Sequence, residues 1–170
     1  MKTFITSISL FLFTAGGAPT VEISGKIETV DAGKGAVVIS GVTISAGETM
    51  LKNSTDEPAT INDLKPGERV DVKGTLVRPH QMQAIAIEKD PGGRDAVEGM
   101  ISEVASTEKS LVIGGITVKV LMDTVFKDEL NKVIQFDRFA AGSMVTCEGA
   151  WTGPGKSTAK EVQLDWHPTA

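Results

Sequence analysis

The stretch Val97-Glu98-Gly99-Met100-Ile101-Ser102-Glu103-Val104 repeats an earlier one, Ile23-Ser24-Gly25-Lys26-Ile27-Glu28-Thr29-Val30. Glycine, isoleucine and the final valine coincide, and self-similarity of this kind decides the fold before any single element is read. The register holds outward without a gap. Val38-Ile39-Ser40-Gly41-Val42-Thr43-Ile44 falls on Val112-Ile113-Gly114-Gly115-Ile116-Thr117-Val118. One inserted residue then brings Glu48-Thr49 over Asp123-Thr124, and Leu64-Lys65-Pro66-Gly67 onto Phe139-Ala140-Ala141-Gly142. Val70-Asp71-Val72-Lys73-Gly74 falls on Val145-Thr146-Cys147-Glu148-Gly149. At the end of each copy, Ile85 and Ile87 are read against Val162 and Leu164, which sets Trp166 over Lys89.

The chain therefore divides into a first repeat at 20–89, a linker at 90–94 and a second repeat at 95–166. The linker, Asp90-Pro91-Gly92-Gly93-Arg94, is a run of turn formers. Valine, isoleucine and threonine alternate with polar residues, as in Val70 and Val72 between Glu68, Asp71 and Lys73, which is the period of half-buried strands. In the first copy strands are expected at 21–30, 36–45 with a bend at Gly41, 49–52, 68–76 and 82–89, with a single helical turn near 61–65. Gly25, Gly74, Gly99 and Gly149 interrupt strand interiors, as bulges and barrel corners do. The second copy is expected to expand Lys127–Gln135 into a short helix. The fold class is all-β: two tandem small OB-like antiparallel β-barrels.

Before the repeats comes an export signal. Met1 and Lys2 are a short positive start, Phe4 to Phe13 an apolar core, and Thr14 to Ala18 a run of small residues. Residues 1–17 are read as a signal peptide, cut after Gly17, and no later stretch is apolar enough to span a membrane. The mature chain is expected to be secreted or periplasmic in a bacterium, with no membrane span. Its single cysteine rules out an intramolecular disulfide.

The pattern V-x-G-x-I-x-x-V, then a hairpin around a valine-isoleucine-glycine core, then L-x-x-G-x-x-V-x-V-x-G, resembles a bacterial secreted family of unknown function. That family has an OB-like barrel, often in tandem. The resemblance covers both repeats and implies fold; it brings no catalytic residues.

Few side chains qualify for chemistry. A net charge of −5 without a basic cluster argues against nucleic acid. So does the first repeat, which has no aromatic residue on which a base could stack. Cys147 replaces Val72 on an alternating strand and reads as core. His80-Gln81-Met82 offers a soft donor pair suited to Cu(I), but its spacing does not build a copper constellation. Asp56-Glu57 and Asp128-Glu129 lack the alternating oxygen ligands of a calcium loop. No nucleophile–base pair, phosphate loop or cofactor motif is visible, so an enzyme is not expected. What distinguishes the copies is aromatic content. Trp151, aligned with Leu76, reads as core edge or binding residue, while Trp166 with the adjacent His167 reads as exposed. Together with Phe136 they mark the expected partner surface. The expected function is an exported, non-catalytic binding or interaction module. The alternative is a periplasmic binder of a small ligand, oligosaccharide ahead of Cu(I) or another metal ion.

Overall fold

The computed structural model describes residues 19–47 and 49–167. The expected signal peptide at 1–17 lies outside the described residues. The first repeat forms β1 (Thr20–Asp31), β2 (Ala36–Ile39), β3 (Val42–Ser45), β4 (Met50–Lys52), β5 (Arg69–Arg78) and β6 (Gln81–Lys89). The second forms β7 (Asp95–Ala105), β8 (Ser110–Ile113), β9 (Ile116–Lys127), β10 (Met144–Gly153) and β11 (Lys156–Trp166). The fold is all-β. Its helical content among the described residues is two single 3-10 turns, Ile61–Asp63 and Phe136–Arg138.

Each repeat closes on itself. In the first, β1 pairs with β2, β2 with β3, β3 with β6, β6 with β5, and β5 returns to β1. In the second the same circuit runs β7, β8, β9, β11, β10 and back to β7. Closure leaves few open edges on these valine- and isoleucine-rich strands. The expectation of antiparallel barrels needs one correction: β3 and β4 run parallel to β6, and β9 parallel to β11. A parallel pair demands a long crossover. Here the segment holding the 3-10 turn and β5, or its counterpart, supplies it. A threonine clamps each parallel pair: half-buried Thr49 Oγ1 donates to the Ala84 carbonyl at 2.9 Å and buried Thr124 Oγ1 to that of Ala159 at 2.6 Å.

Alternation fills the barrels. Val21, Ile23, Val70, Val72, Ile87, Val97, Val145, Cys147 and Val162 point inward and are buried. Cys147 is core, as its match to Val72 implies, and burial pushes its thiol pKa up. The bend expected at Gly41 is a two-residue turn. Ser40 and Gly41 have φ of 47° and 70°, and Gly114 and Gly115 repeat it at 54° and 87°. Positive φ at both central residues matches the twist of a tight hairpin. Gly74 and Gly149 sit at register shifts of their hairpins, where a Cβ would overlap the carbonyl oxygens of Gln83 and Thr158.

Two further expectations are corrected. Lys127–Gln135 is neither longer than its counterpart nor helical. In both copies the strand ends in the same side-chain-capped turn. Asn53 Oδ1 accepts from the amides of Thr55 and Glu57, and Asp128 Oδ1 from those of Leu130 and Lys132. Asn131, at φ 61°, takes the left-handed conformation that breaks any helix there. The match at the last strands also shifts by two. Val72 pairs with Ile87 and Cys147 with Val162, so Val162 is the counterpart of Ile87. Trp166 then corresponds to Pro91, not Lys89.

The repeats join through their first strands. β1 and β7 run antiparallel, with Val21 opposite Gly99, Glu22 opposite Glu98, Ile23 opposite Val97 and Ser24 opposite Ala96. Ile23 and Val97 are equivalent residues, so the chain has a local pseudo-two-fold axis between them. Gly149→Ala is expected to cost about 3 kcal/mol by overpacking against β11 backbone. Gly153→Ala, where nothing lies within 4 Å, should cost under about 1 kcal/mol. Urea denaturation of the two variants checks both.

Candidate functional site

Two regions near the axis carry the candidate residues: a seam that holds the barrels together and the outer face of the shared sheet. The seam takes Trp151. Its indole Nε1 donates to the carbonyl of Ser24 in the first repeat at 2.9 Å. Gly25 makes room for it, since a Cβ there would sit 2.9 Å from that nitrogen. Leu76, the equivalent residue, reaches the other way: a Cβ on Gly115 would lie 3.0 Å from its Cδ2. The hairpin tips cross as well. Pro154 packs over Gly41, and His80 over Gly155. Arg69 NH2 bridges to Asp95 Oδ1 at 2.7 Å, both partly buried, and ties the first copy to the start of β7. Trp151 is thus a stitch between the repeats, which corrects its expected place on a partner surface.

Phe136 is also accounted for within the protein. Its ring lies 5.7 Å from Phe126 and 6.3 Å from Phe139, in a tilted cluster against the core. His80 and Met82 are separated, because Met82 is core while His80 sits exposed at the hairpin tip. That pair builds no metal site. Among the described residues no cluster of three or more histidine, cysteine or carboxylate side chains is placed to hold a metal.

The outer face is different. Strands β6, β5, β1, β7, β10 and β11 form one continuous surface across both repeats. Outward residues pair across it in rows. One row runs Lys73, Glu22, Glu98, Thr146 and Gln163. The next, toward one end, runs Met100, Met144 and Trp166. Directly opposed side chains in such a row have Cβ atoms about 5 Å apart. Trp166 is 52% exposed, as expected, and Met100 and Met144 are half-buried beside it. His167 follows directly and is exposed. The first copy has charge at the matching positions of the two methionines, Lys26 and Arg69. The sequence signal was available in the repeat alignment; the cross-strand register that aligns Met100 with Met144 was not.

Carboxylates flank the row. Glu98 has its pKa raised to about 7, first by burial, then by Glu22 opposite and Asp165, with Asp71 adding and Lys73 opposing. Burial also raises Glu22, Asp71 and Asp165; the Thr146 hydroxyl donates to Asp165 Oδ2 at 2.8 Å and partly offsets the last.

The comparisons with known proteins agree with the duplication. The family model described as "Domain of unknown function (DUF5666)" matches twice, at residues 24–88 and 98–163. The chain belongs to the DUF5666 family. The two matches fall one on each barrel, so this DUF5666 protein carries the domain in tandem. No curated protein and no solved structure matches the chain. Among the described residues no helix is long and apolar enough to cross a membrane.

Two outcomes follow for the DUF5666 pair. Trp151→Ala removes a half-buried indole and leaves the Ser24 carbonyl without its seam donor. It is expected to cost about 3 kcal/mol, read as a lower midpoint in urea denaturation. Glu98 has a folded pKa above its ordinary value of 4.5, so the folded state holds the proton more tightly than the unfolded chain. Its stabilising contribution is complete below about pH 4.5 and is lost as pH rises through about 7. Glu98→Gln should raise stability at pH 8 by about 1 kcal/mol, allowing for solvent screening, and flatten the decline between about pH 5 and 8. Denaturation across that range measures it.

Proposed function

We propose that the chain is an exported, non-catalytic interaction module whose partner surface lies on the second repeat, along Met100, Met144 and Trp166. One observation carries this reading: the row is soft and apolar where the first copy, on the same scaffold, has Lys26 and Arg69. A scaffold need would have produced the same residue types twice. Methionine side chains adapt to varied apolar partners, and tryptophan is enriched among the residues that anchor protein interfaces.

The surroundings support the same surface. Six of the eight strongly exposed large apolar residues among those described belong to the second repeat. Leu130, one of them, lies in the Asp128–Lys132 turn. The Gln163 side-chain amide joins that turn to β11, three residues before Trp166. The carboxyl groups of Glu98 and Asp165 border the row. A matching partner segment would present an apolar side chain to Trp166 and a lysine or arginine to these carboxylates. The single cysteine, Cys147, is buried in the barrel and offers no exposed thiolate. Export rests on the signal-like residues 1–17.

The test is photo-crosslinking in the native host with the probe at Trp166, against a control probe at Val77, which is 61% exposed on the first repeat. The expected result is a discrete protein adduct from Trp166 alone, lost when Met100 and Met144 are both changed to serine. Trp166→Ala should leave the denaturation midpoint within about 0.5 kcal/mol of the parent, as for a surface position. Equal labelling from both probes, or none from Trp166 in folded exported protein, removes the proposed surface.

A further inference from the structure

The duplicated barrel provides an internal reference for a second, independent site. A depression of about 470 Å³ opens on the second repeat where the β7–β8 turn, β8, β9 and the β10–β11 hairpin meet. Glu108, Ser110, Thr117, Lys119, Thr152, Lys156, Ser157 and Thr158 line it. Their order follows from the ladders: Ser110 is opposite Lys119, Lys119 opposite Thr158, and Thr117 opposite Lys156. The lining holds five hydroxyls, two ammonium groups and one carboxylate, and no aromatic ring.

The first copy shows what this part of the barrel needs in order to fold. Its ladders place Thr43 opposite Gln81, Ile44 opposite Met82 and Ser45 opposite Gln83, in the same parallel register. Met82 is fully buried there, and the Gln83 side chain closes over the strand by donating to the Ser45 carbonyl at 3.2 Å. In the second copy Ser157 stands for Met82, Thr158 for Gln83, Ser110 for Ala36 and Lys119 for Ser45. Lys156 stands for Gln81 and Thr152 for Val77. Replacing the methionine by serine puts a small hydroxylated residue where the first copy has a core side chain, on the strand that borders the depression. Ser110, opposite Lys119 on the outward face, is 6% exposed, so its hydroxyl sits deep in the depression, while Ser157, opposite Val118, is 4% exposed on the inward side. The contact of Ser157 Oγ with the Thr158 carbonyl is long, at 3.4 Å, as is that of Thr158 Oγ1 with the Ala150 carbonyl, so both hydroxyls keep hydrogen-bonding capacity. The second copy has exchanged an apolar core side chain and the closing Gln83 hydrogen bond for hydroxyls and positive charge.

We infer that this depression binds a small hydroxylated anion, one sugar unit carrying a carboxylate or a phosphate. Hydroxyls both donate and accept, which suits the alternating groups of a polyol. The two lysines outnumber Glu108 and make a locally positive spot on a chain whose net charge is −5. The volume lies in the range of small-ligand sites. The absence of an aromatic platform from the lining favours recognition by hydrogen bonds and charge over stacking on a sugar face.

The test is backbone-amide NMR of the mature chain, titrated separately with galacturonate, glucose 6-phosphate and neutral glucose. Saturable shifts at Ser110, Lys119 and Lys156–Thr158 are expected with at least one of the two anions, and which anion produces them distinguishes carboxylate from phosphate recognition. A variant carrying the first copy's residues, Lys119→Ser with Lys156→Gln, should keep its spectrum elsewhere and bind at least tenfold more weakly. Ser110→Ala with Thr158→Gln, the first copy's residues at two outward positions, should close the strand as Gln83 does and abolish the shifts. No saturable shift with either anion up to about 20 mM, in the weak-affinity range, would falsify the assignment. So would equal shifts with neutral glucose, or unchanged affinity in the lysine variant. None of these outcomes bears on the Trp166 surface, which lies outside the depression.

Discussion

The antiparallel pairing of β1 with β7 is the constraint on which the rest depends. Each first strand serves several ladders at once. β1 pairs with β5 along Thr20–Lys26 and with β7 along Val21–Ser24, then turns from Ile27 onward into its pairing with β2. The irregular register between Ile27 and Thr29, repeated between Ile101 and Glu103, is where each strand bends from the shared sheet into its own barrel. Because the central pair, Ile23 and Val97, is a residue and its own counterpart, every contact made across the seam by one repeat has a place for a matching contact from the other. The equivalent residues Trp151 and Leu76 use different places: Trp151 packs at Gly25, the counterpart of Gly99, and Leu76 at Gly115, the counterpart of Gly41. Gly25 and Gly115 supply the room.

The glycines made most of this fold legible in the sequence. Their spacing fixed the repeat, the hairpins and the strand interruptions, because a position that admits no Cβ leaves a mark no apolar substitution can blur. The last strand was harder for the opposite reason. A slip of two residues keeps every side chain on the same face, so Ile85 and Ile87 match Val162 and Leu164 as well as the true register does. Only the ladder decides it, through the irregularity beside Gly74 and Gly149, and Ile85 proves to be an exposed residue. Lys127–Gln135 misled in another way. Leu130, Val133 and Ile134 have helix-like spacing, but the Asp128 side chain captures two backbone amides that a helix would need.

The site was legible in part. Trp166 stands exposed, as its match to Lys89 suggested, although its counterpart in the ladders is Pro91. Trp151 was recognisable as a core-edge residue from Leu76, yet nothing in one repeat could reveal that the edge belonged to the other barrel. Met100 and Met144 lie far apart in sequence and carry no motif. Their relation exists only through β7–β10 register. Residue differences between copies become informative once the ladders say which positions correspond.

Glu22 and Glu98 face each other across the seam, a like-charged pair that costs stability in the folded state. A joint selected only for strength would not place them there, since Ser24 and Ala96, the other pair flanking the axis, show that neutral residues fit the same geometry. The cost has a direction. Any group that brings positive charge beside Glu98 relieves the repulsion, favours the carboxylate form and strengthens the contact between the barrels. A partner seated on Met100, Met144 and Trp166 with a lysine or arginine toward Glu98 would therefore bind and rigidify the pair through the same charge. β7 supplies Glu98 and Met100 to the face and Val97 to the axis. Binding on the outer surface and cohesion of the two repeats are then properties of one strand.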